Sequence, residues 1–198
     1  MTAMNSGRPL QYDPGQVLEA TMQAFWRRGY EGTSLQDLLA ATRLSKSSFY
    51  QAFGSKHDAF QRAIDHYVTG LTARLRDNLL SANSGWDFLR GLLLGAADEA
   101  RTGSDPLGCM IVNVANEFSG RDPQVRAQIS AGVKSVTQVL VAAVKRAQRE
   151  GSVAATKDAQ VLGRYLLSSL SGLRTMAKAG SSHRAIADVV EVILLALK

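Results

Sequence analysis

The stretch from Gly29 to Phe60 reads GYEGTSLQDLLAATRLSKSSFYQAFGSKHDAF, and its punctuation decides the fold. Thr33 and Gln36 stand at capping-box spacing, and Leu35, Leu38 and Leu39 then give a short apolar stripe that ends near Thr42 and Arg43. Ser45 is the next cap. Phe49 and Phe53, four apart, form one face of a very short helix that Gly54 closes. Just upstream, Asp13 and Pro14 open a helix, with Gln16 three residues on, Leu18, Met22 and Phe25 at helical spacing, and Gly29 at its end. Three short helices within about forty residues outline a helix-turn-helix head.

Downstream the period stays helical. Ser55 and Asp58 cap a long amphipathic helix carrying Phe60, Ile64, Tyr67, Val68, Leu71 and Leu75 and reaching about Leu80. Further starts fall at Ser84 with Asp87, near Pro106, and at Asp122 with Pro123. Two last segments, 157–178 and 182–197, are joined through Gly180 and two serines as an antiparallel hairpin. No strand alternation competes, so the fold class is all-α, a three-helix head on a larger helical body, about nine helices in all. Residues 1–12 are polar and aperiodic and read as a flexible arm.

Composition excludes several classes. Of 198 residues, 45% are hydrophobic and 20% charged, and no uninterrupted apolar run approaches the roughly 20 residues of a membrane span. The first residues lack the apolar core of a secretory signal, so no membrane partner and a cytoplasmic setting are expected. Cys109 is the single cysteine, which excludes an internal disulfide. The three histidines, His57, His66 and His183, lie far apart, so neither a metal site nor a cofactor is implied. There is no Gly-x-Ser-x-Gly and no phosphate-cradling glycine loop, hence no enzyme signature. The net charge of +6 favours a polyanion. It does not locate one: up to Lys56 there are six Lys/Arg against four acids.

The quoted stretch resembles the DNA-binding head of the TetR family of transcriptional regulators, in which a Gly-aromatic start, a Thr-Ser pair, an aliphatic helix, a turn, a short helix ending in aromatics and a Ser-Lys follow in this order. Thr33, Ser34, Leu35, Ser45, Phe49, Tyr50, Phe53, Ser55 and Lys56 carry the match. The resemblance implies a helix-turn-helix domain over 13–55 and an effector-binding and dimerisation domain over 56–198. It implies a homodimeric regulator, most simply a repressor, on a double-stranded operator; an activator or a non-sensing binder on the same head is the alternative. Thr33 and Ser34 at a helix start, and Lys56 at the next, suit phosphate. Lys46 and Tyr50 suit backbone positioning, while Ser47, Ser48 and Gln51 are left for base edges, each good contact giving about 1–3 kcal/mol of discrimination. Two positions depart from the family. Arg43 stands where Gly is usual, so the turn either accepts a positive φ or takes another geometry. Ala52 replaces a His or Tyr.

In the body the family implies an inducer site and a terminal hairpin that pairs across a twofold axis. Leu162, Leu166, Leu170, Leu173, Ile186, Val190, Ile193 and Leu194 are the interface residues on that reading; core within one chain is the other use of such a stripe. The segment DPLGCMIVNVANE, 105–117, resembles the Gly-Cys-hydrophobic segment of one TetR subgroup. Cys109, placed where a helix begins, is either a reactive thiol favoured by the helix terminus or a small buried hydrophobe. His66, Trp86, Asn113, Asn116, Glu117 and Phe118 complete the expected site for an effector whose identity the sequence leaves open.

Overall fold

The computed structural model describes residues 12–99, 107–118 and 122–198. The arm expected over 1–12, Tyr12 apart, and the helix start expected near Pro106 lie outside them. The described residues form nine α-helices and no strand: α1 (Pro14–Arg28), α2 (Leu35–Thr42), α3 (Lys46–Phe53), α4 (Lys56–Ser81), α5 (Gly85–Glu99), α6 (Met110–Phe118), α7 (Pro123–Arg149), α8 (Ala159–Lys178) and α9 (His183–Leu197). The chain divides into two compact units between Ala63 and Ile64. The division falls inside α4, eight residues beyond the sequence-based boundary at Ser55, because Ala59, Phe60 and Ala63 are fully buried and the Phe60 ring lies 5.0 Å from that of Phe25.

In the head, capping defines the short helices. The Asp13 carboxylate accepts from the Gly15 and Gln16 amides, and the Ser45 hydroxyl accepts from Ser48 N–H at 3.1 Å. At α2 the cap is Ser34, one residue later than the spacing from Thr33 suggests. Asp37 is the residue that answers it: Asp37 N–H donates to Ser34 Oγ (3.1 Å), and Ser34 N–H donates to Asp37 Oδ2 (2.9 Å). Thr42, the last residue of α2, and Lys46, the first of α3, leave a three-residue turn. Arg43 occupies it at φ 56°, ψ 24°, so the turn takes the left-handed conformation on a residue with a side chain. Gly54, at φ 84°, closes α3 by donating to Tyr50 O at 2.8 Å. An aromatic cluster fills the interior, with ring centroids 5.0 Å apart for Tyr30–Phe60 and for Phe49–Phe53.

In the body, α7 packs against α5, α6 and α8, and α5 against α8 and α9. Leu89, Leu93, Leu140, Leu166, Leu173 and Ile186 make the aliphatic core. α7 is by length and composition apolar enough to cross a membrane, with mean hydropathy 1.3 over 18 residues, although polar residues interrupt its apolar run. Here it is the central core helix, with nine buried residues on one side and Lys134, Gln138, Lys145 and Arg149 on the exposed side. At Gly85 the helices meet backbone to backbone: a Cβ there would lie 2.5 Å from Ala147 N. Nearby, Arg146 donates to the carbonyls of Leu79 (2.6 Å), Ala82 (3.0 Å) and Asn83 (3.1 Å), and its Nε to Glu150 Oε1 at 2.8 Å. The other Glu150 oxygen accepts from Gly85 N–H at 2.7 Å.

The terminal hairpin corrects one expectation. Leu162, Leu166, Leu170, Leu173, Ile186, Val190 and Ile193 are buried within the single chain, and Leu194 is half-buried. Their stripe faces α5, α7 and the opposite helix of the hairpin and is core. What the hairpin leaves outside is a second apolar set: Val161, Val189, Val192 and Leu195, of which Val192 and Leu195 are 63% and 68% exposed.

Candidate functional site

Two regions carry chemistry, one in each unit. In the head, burial of Phe49 and Phe53 fixes which side of α3 faces out. Lys46, Ser47, Tyr50 and Gln51 are exposed there, and Ser48 is half-buried. The hydroxyls of Ser47 and Ser48 lie 3.0 and 2.9 Å from Ser45 Oγ, so three serines make one hydroxyl cluster around the start of the helix. Tyr50, 43% exposed, keeps its ring edge-on to Phe49 at 6.0 Å, which fixes the phenol at the surface.

The flanking helix starts differ from one another. Ser34 is exposed, and its hydroxyl donates to Asp37 at 2.6 Å. The Ser34 hydroxyl and N–H, with Arg28 paired to the same carboxylate, hold Asp37 below the usual carboxylate range against burial, which acts the other way. The start of α2 therefore already carries an anion. Thr33 is fully buried, its hydroxyl donating to Gly29 O at 2.6 Å, so the side chain turns inward and fixes the backbone that presents Ser34. Lys56, the first residue of α4, sets its ammonium 4.2 Å from the Tyr30 ring centroid. Arg43, exposed in the turn ahead of Ser45, adds a cation. Its signal was the charge retained where a glycine would suit the backbone better.

In the body a cavity of about 60 Å³ has walls of Leu71, Leu75, Leu92, Val136, Leu140 and Leu170. Cys109, 8% exposed, lines it from the start of α6. The Tyr67 hydroxyl lies 3.8 Å from Cys109 Sγ. Burial first, and then the neighbouring Cys109, push the Tyr67 phenol above its ordinary range, so it stays protonated and donates. Cys109 is the one residue of the expected effector set that the structure brings to this cavity. Asn113 instead ties the preceding loop, donating to Leu107 O at 2.9 Å and accepting from Lys178 Nζ at 3.4 Å. Trp86 lies beneath Lys198, 5.6 Å from ring centroid to ammonium, and Asn116 is exposed. His66, Glu117 and Phe118 are half-buried away from the lining. Ser171 and Arg174 supply polar lining that sequence reading missed, because each follows a core leucine of the α8 stripe.

Comparison with known proteins agrees with this division. Residues 17–63 match the family model described as bacterial regulatory proteins, tetR family, and residues 85–193 match the model of a tetracyclin repressor-like C-terminal domain. The chain is 29% identical over 192 residues to the uncharacterized HTH-type transcriptional regulator YezE of Bacillus subtilis (strain 168), covering 96% of this chain and 99% of that one. It is 24% identical over 189 residues to the HTH-type transcriptional repressor ComR of Escherichia coli (strain K12), covering 95% and 90%. A solved cysteine mutant of the TetR family regulator CifR, complexed with 26 bp double-strand operator DNA, superposes with a TM-score of 0.80 at 31% identity, over 96% of this chain and all of that one. All three carry the name of a transcriptional regulator or repressor. With both of its units matched in order, the chain belongs to the TetR family of transcriptional regulators.

Proposed function

We propose that this regulator is a cytoplasmic homodimeric repressor that holds a palindromic operator and is released from it by a small molecule or by chemistry at the body thiol. The exposed face of α3 carries the DNA reading. Seated in the major groove, α3 offers Gln51 to adenine and Ser47 and Ser48 to base edges, while Lys46, Tyr50 and Lys56 hold phosphates and Ser34, already answered by Asp37, caps α2 beside them. Arg43 adds a further phosphate contact beside Ser45. The operator in the CifR complex and the repressor name of ComR support the reading.

The dimer rests on Val161, Val189, Val192 and Leu195, apolar side chains that one chain leaves uncovered on consecutive helices. An isologous pairing through them gives twofold symmetry and hence a palindrome. For the effector, the support is a buried cysteine that lines an apolar cavity in the segment resembling the Gly-Cys-hydrophobic subgroup. In this mechanism filling the cavity, or modifying Cys109, turns α4 and alters the spacing of the paired heads. Effector and operator then weaken each other by the same factor.

Genomic footprinting supplies the operator, and mobility shift on it tests the head. Gln51→Ala relaxes preference at one base by about 1–3 kcal/mol, whereas Lys56→Ala lowers affinity on every sequence and reduces the salt slope by about 1. An unchanged base preference in Gln51→Ala rejects α3 as the reading element. Deleting the gene raises a promoter reporter if the protein represses and lowers it if it activates. Val192→Glu with Leu195→Glu yields monomers in sedimentation, and retained dimers would move the interface elsewhere.

A further inference from the structure

The polar groups of the body cavity share one character. Cys109, Ser171 and Arg174 line it between the leucines, and they present a thiol, a hydroxyl and a guanidinium, each a hydrogen-bond donor. Arg174 is the one charged residue of the lining among the described residues. Its positive field reaches the buried Tyr67 phenol beside Cys109, where it acts against the upward push of burial. In so apolar a space a positive field is weakly screened, which favours an anion with a hydrocarbon tail and disfavours a cation.

The present partner of Arg174 is replaceable. Glu99 Oε1 lies 3.5 Å from Arg174 Nε, a long contact, with the two side chains 42% and 22% exposed. Glu99 is also the last residue of α5, where the helix dipole disfavours a carboxylate. A surface groove lined by Asn78, Asp87 and Glu99 shares Leu92 and Arg174 with the cavity, so Arg174 stands where the two adjoin.

We propose that the cavity takes a small amphipathic carboxylate, its hydrocarbon among the leucines and its carboxylate replacing Glu99 on Arg174. The assignment rests on the effector reading above and names the class of effector.

Calorimetry of the full chain with short straight-chain carboxylates from acetate to pentanoate, matched to the small volume of the cavity, each against the corresponding primary alcohol, tests it. At the best chain length the acid binds at least about tenfold more tightly than its alcohol, a difference of about 1.4 kcal/mol. Arg174→Met removes the difference and keeps alcohol binding, while Glu99→Gln, which leaves the guanidinium in place, strengthens the acid. An alcohol that binds as tightly as its acid, a preference that survives in Arg174→Met, or no binding by any acid overturns the proposal. Mobility shift on the footprinted operator separates this from the effector reading. An acid that binds without changing operator affinity sinks the effector reading and leaves the ligand class standing. Release by neutral compounds, with no acid preference in calorimetry, sinks the class alone.

Discussion

α3 in the head and α8 in the body both bury one apolar side, yet they differ in length and in the side on which they carry their chemistry. α3 has eight residues, too few to hold helical form alone, and it stands on the Ser45 cap, the Gly54 close and two phenylalanines. Its outer face is polar and carries Lys46, Ser47, Tyr50 and Gln51. α8 has 20 residues and buries seven of them against neighbouring helices. It leaves Val161 outside while its inner side borders a cavity. A short, capped element presents function on its surface; a long, packed one encloses it. Variants in the head should therefore act through caps and rings, and variants in the body through volume.

The sharpest test removes a ring. Phe49→Ala takes away a fully buried side chain from a helix with little else to hold it, and costs about 3–5 kcal/mol. In urea titration the head should unfold first, with the body transition unmoved; a single shifted transition would break the contrast. The counterpart in the body adds one methyl. Gly85→Ala sets a Cβ against the α7 backbone, where no rotamer gives relief, and lowers the stability of the body by about 1–3 kcal/mol through overpacking. If α5 and α7 tolerate it, the backbone contact is softer than its 2.5 Å approach indicates.

Acid probes both units together. Asp37 is lowered by Ser34 first, and Glu150 by the Gly85 N–H first. Because both folded values lie below the unfolded ones, the stability they add is present above the ordinary carboxylate range and is lost as pH falls through the lowered values. Asp37→Asn should flatten the acid limb of head unfolding and Glu150→Gln that of the body, each followed by thermal melts between neutral and acidic pH. The smallest expected effect is Arg43→Gly, which relieves the left-handed residue and raises head stability by under about 1 kcal/mol, the greater unfolded freedom of glycine offsetting part of the gain. Weaker operator binding in the same variant would show the guanidinium to be worth its backbone cost.

The caps explain why the head was legible. Asp13, Ser45, Ser55, Ser84 and Asp122 each accept backbone N–H groups near a helix start, and each announces itself by residue type within three positions. The shift from Thr33 to Ser34 follows from the same local rule, since either hydroxyl fits and the residue at the third helical position decides. The hairpin shows what such rules cannot give. Periodicity identified the stripe through Leu166 and Ile186, but the same spacing serves a core within one chain and a seam between two. α9 carries both, with Val190 and Ile193 inside and Val189 and Val192 outside, one residue apart. The cavity was the least legible feature: Tyr67, Cys109 and Arg174 meet from three helix regions, and no spacing in the chain encodes that meeting.

Arg146 has a consequence for motion. One guanidinium from α7 gathers carbonyls at and just beyond the end of α4, and its partner Glu150 holds the first amide of α5. Opening that single junction frees the end of one helix and the beginning of the next in the same event. In hydrogen exchange, the amides of residues 79–85 and those of the last turn of α7 should therefore lose protection at one common rate, two chain segments exchanging as a single cooperative unit.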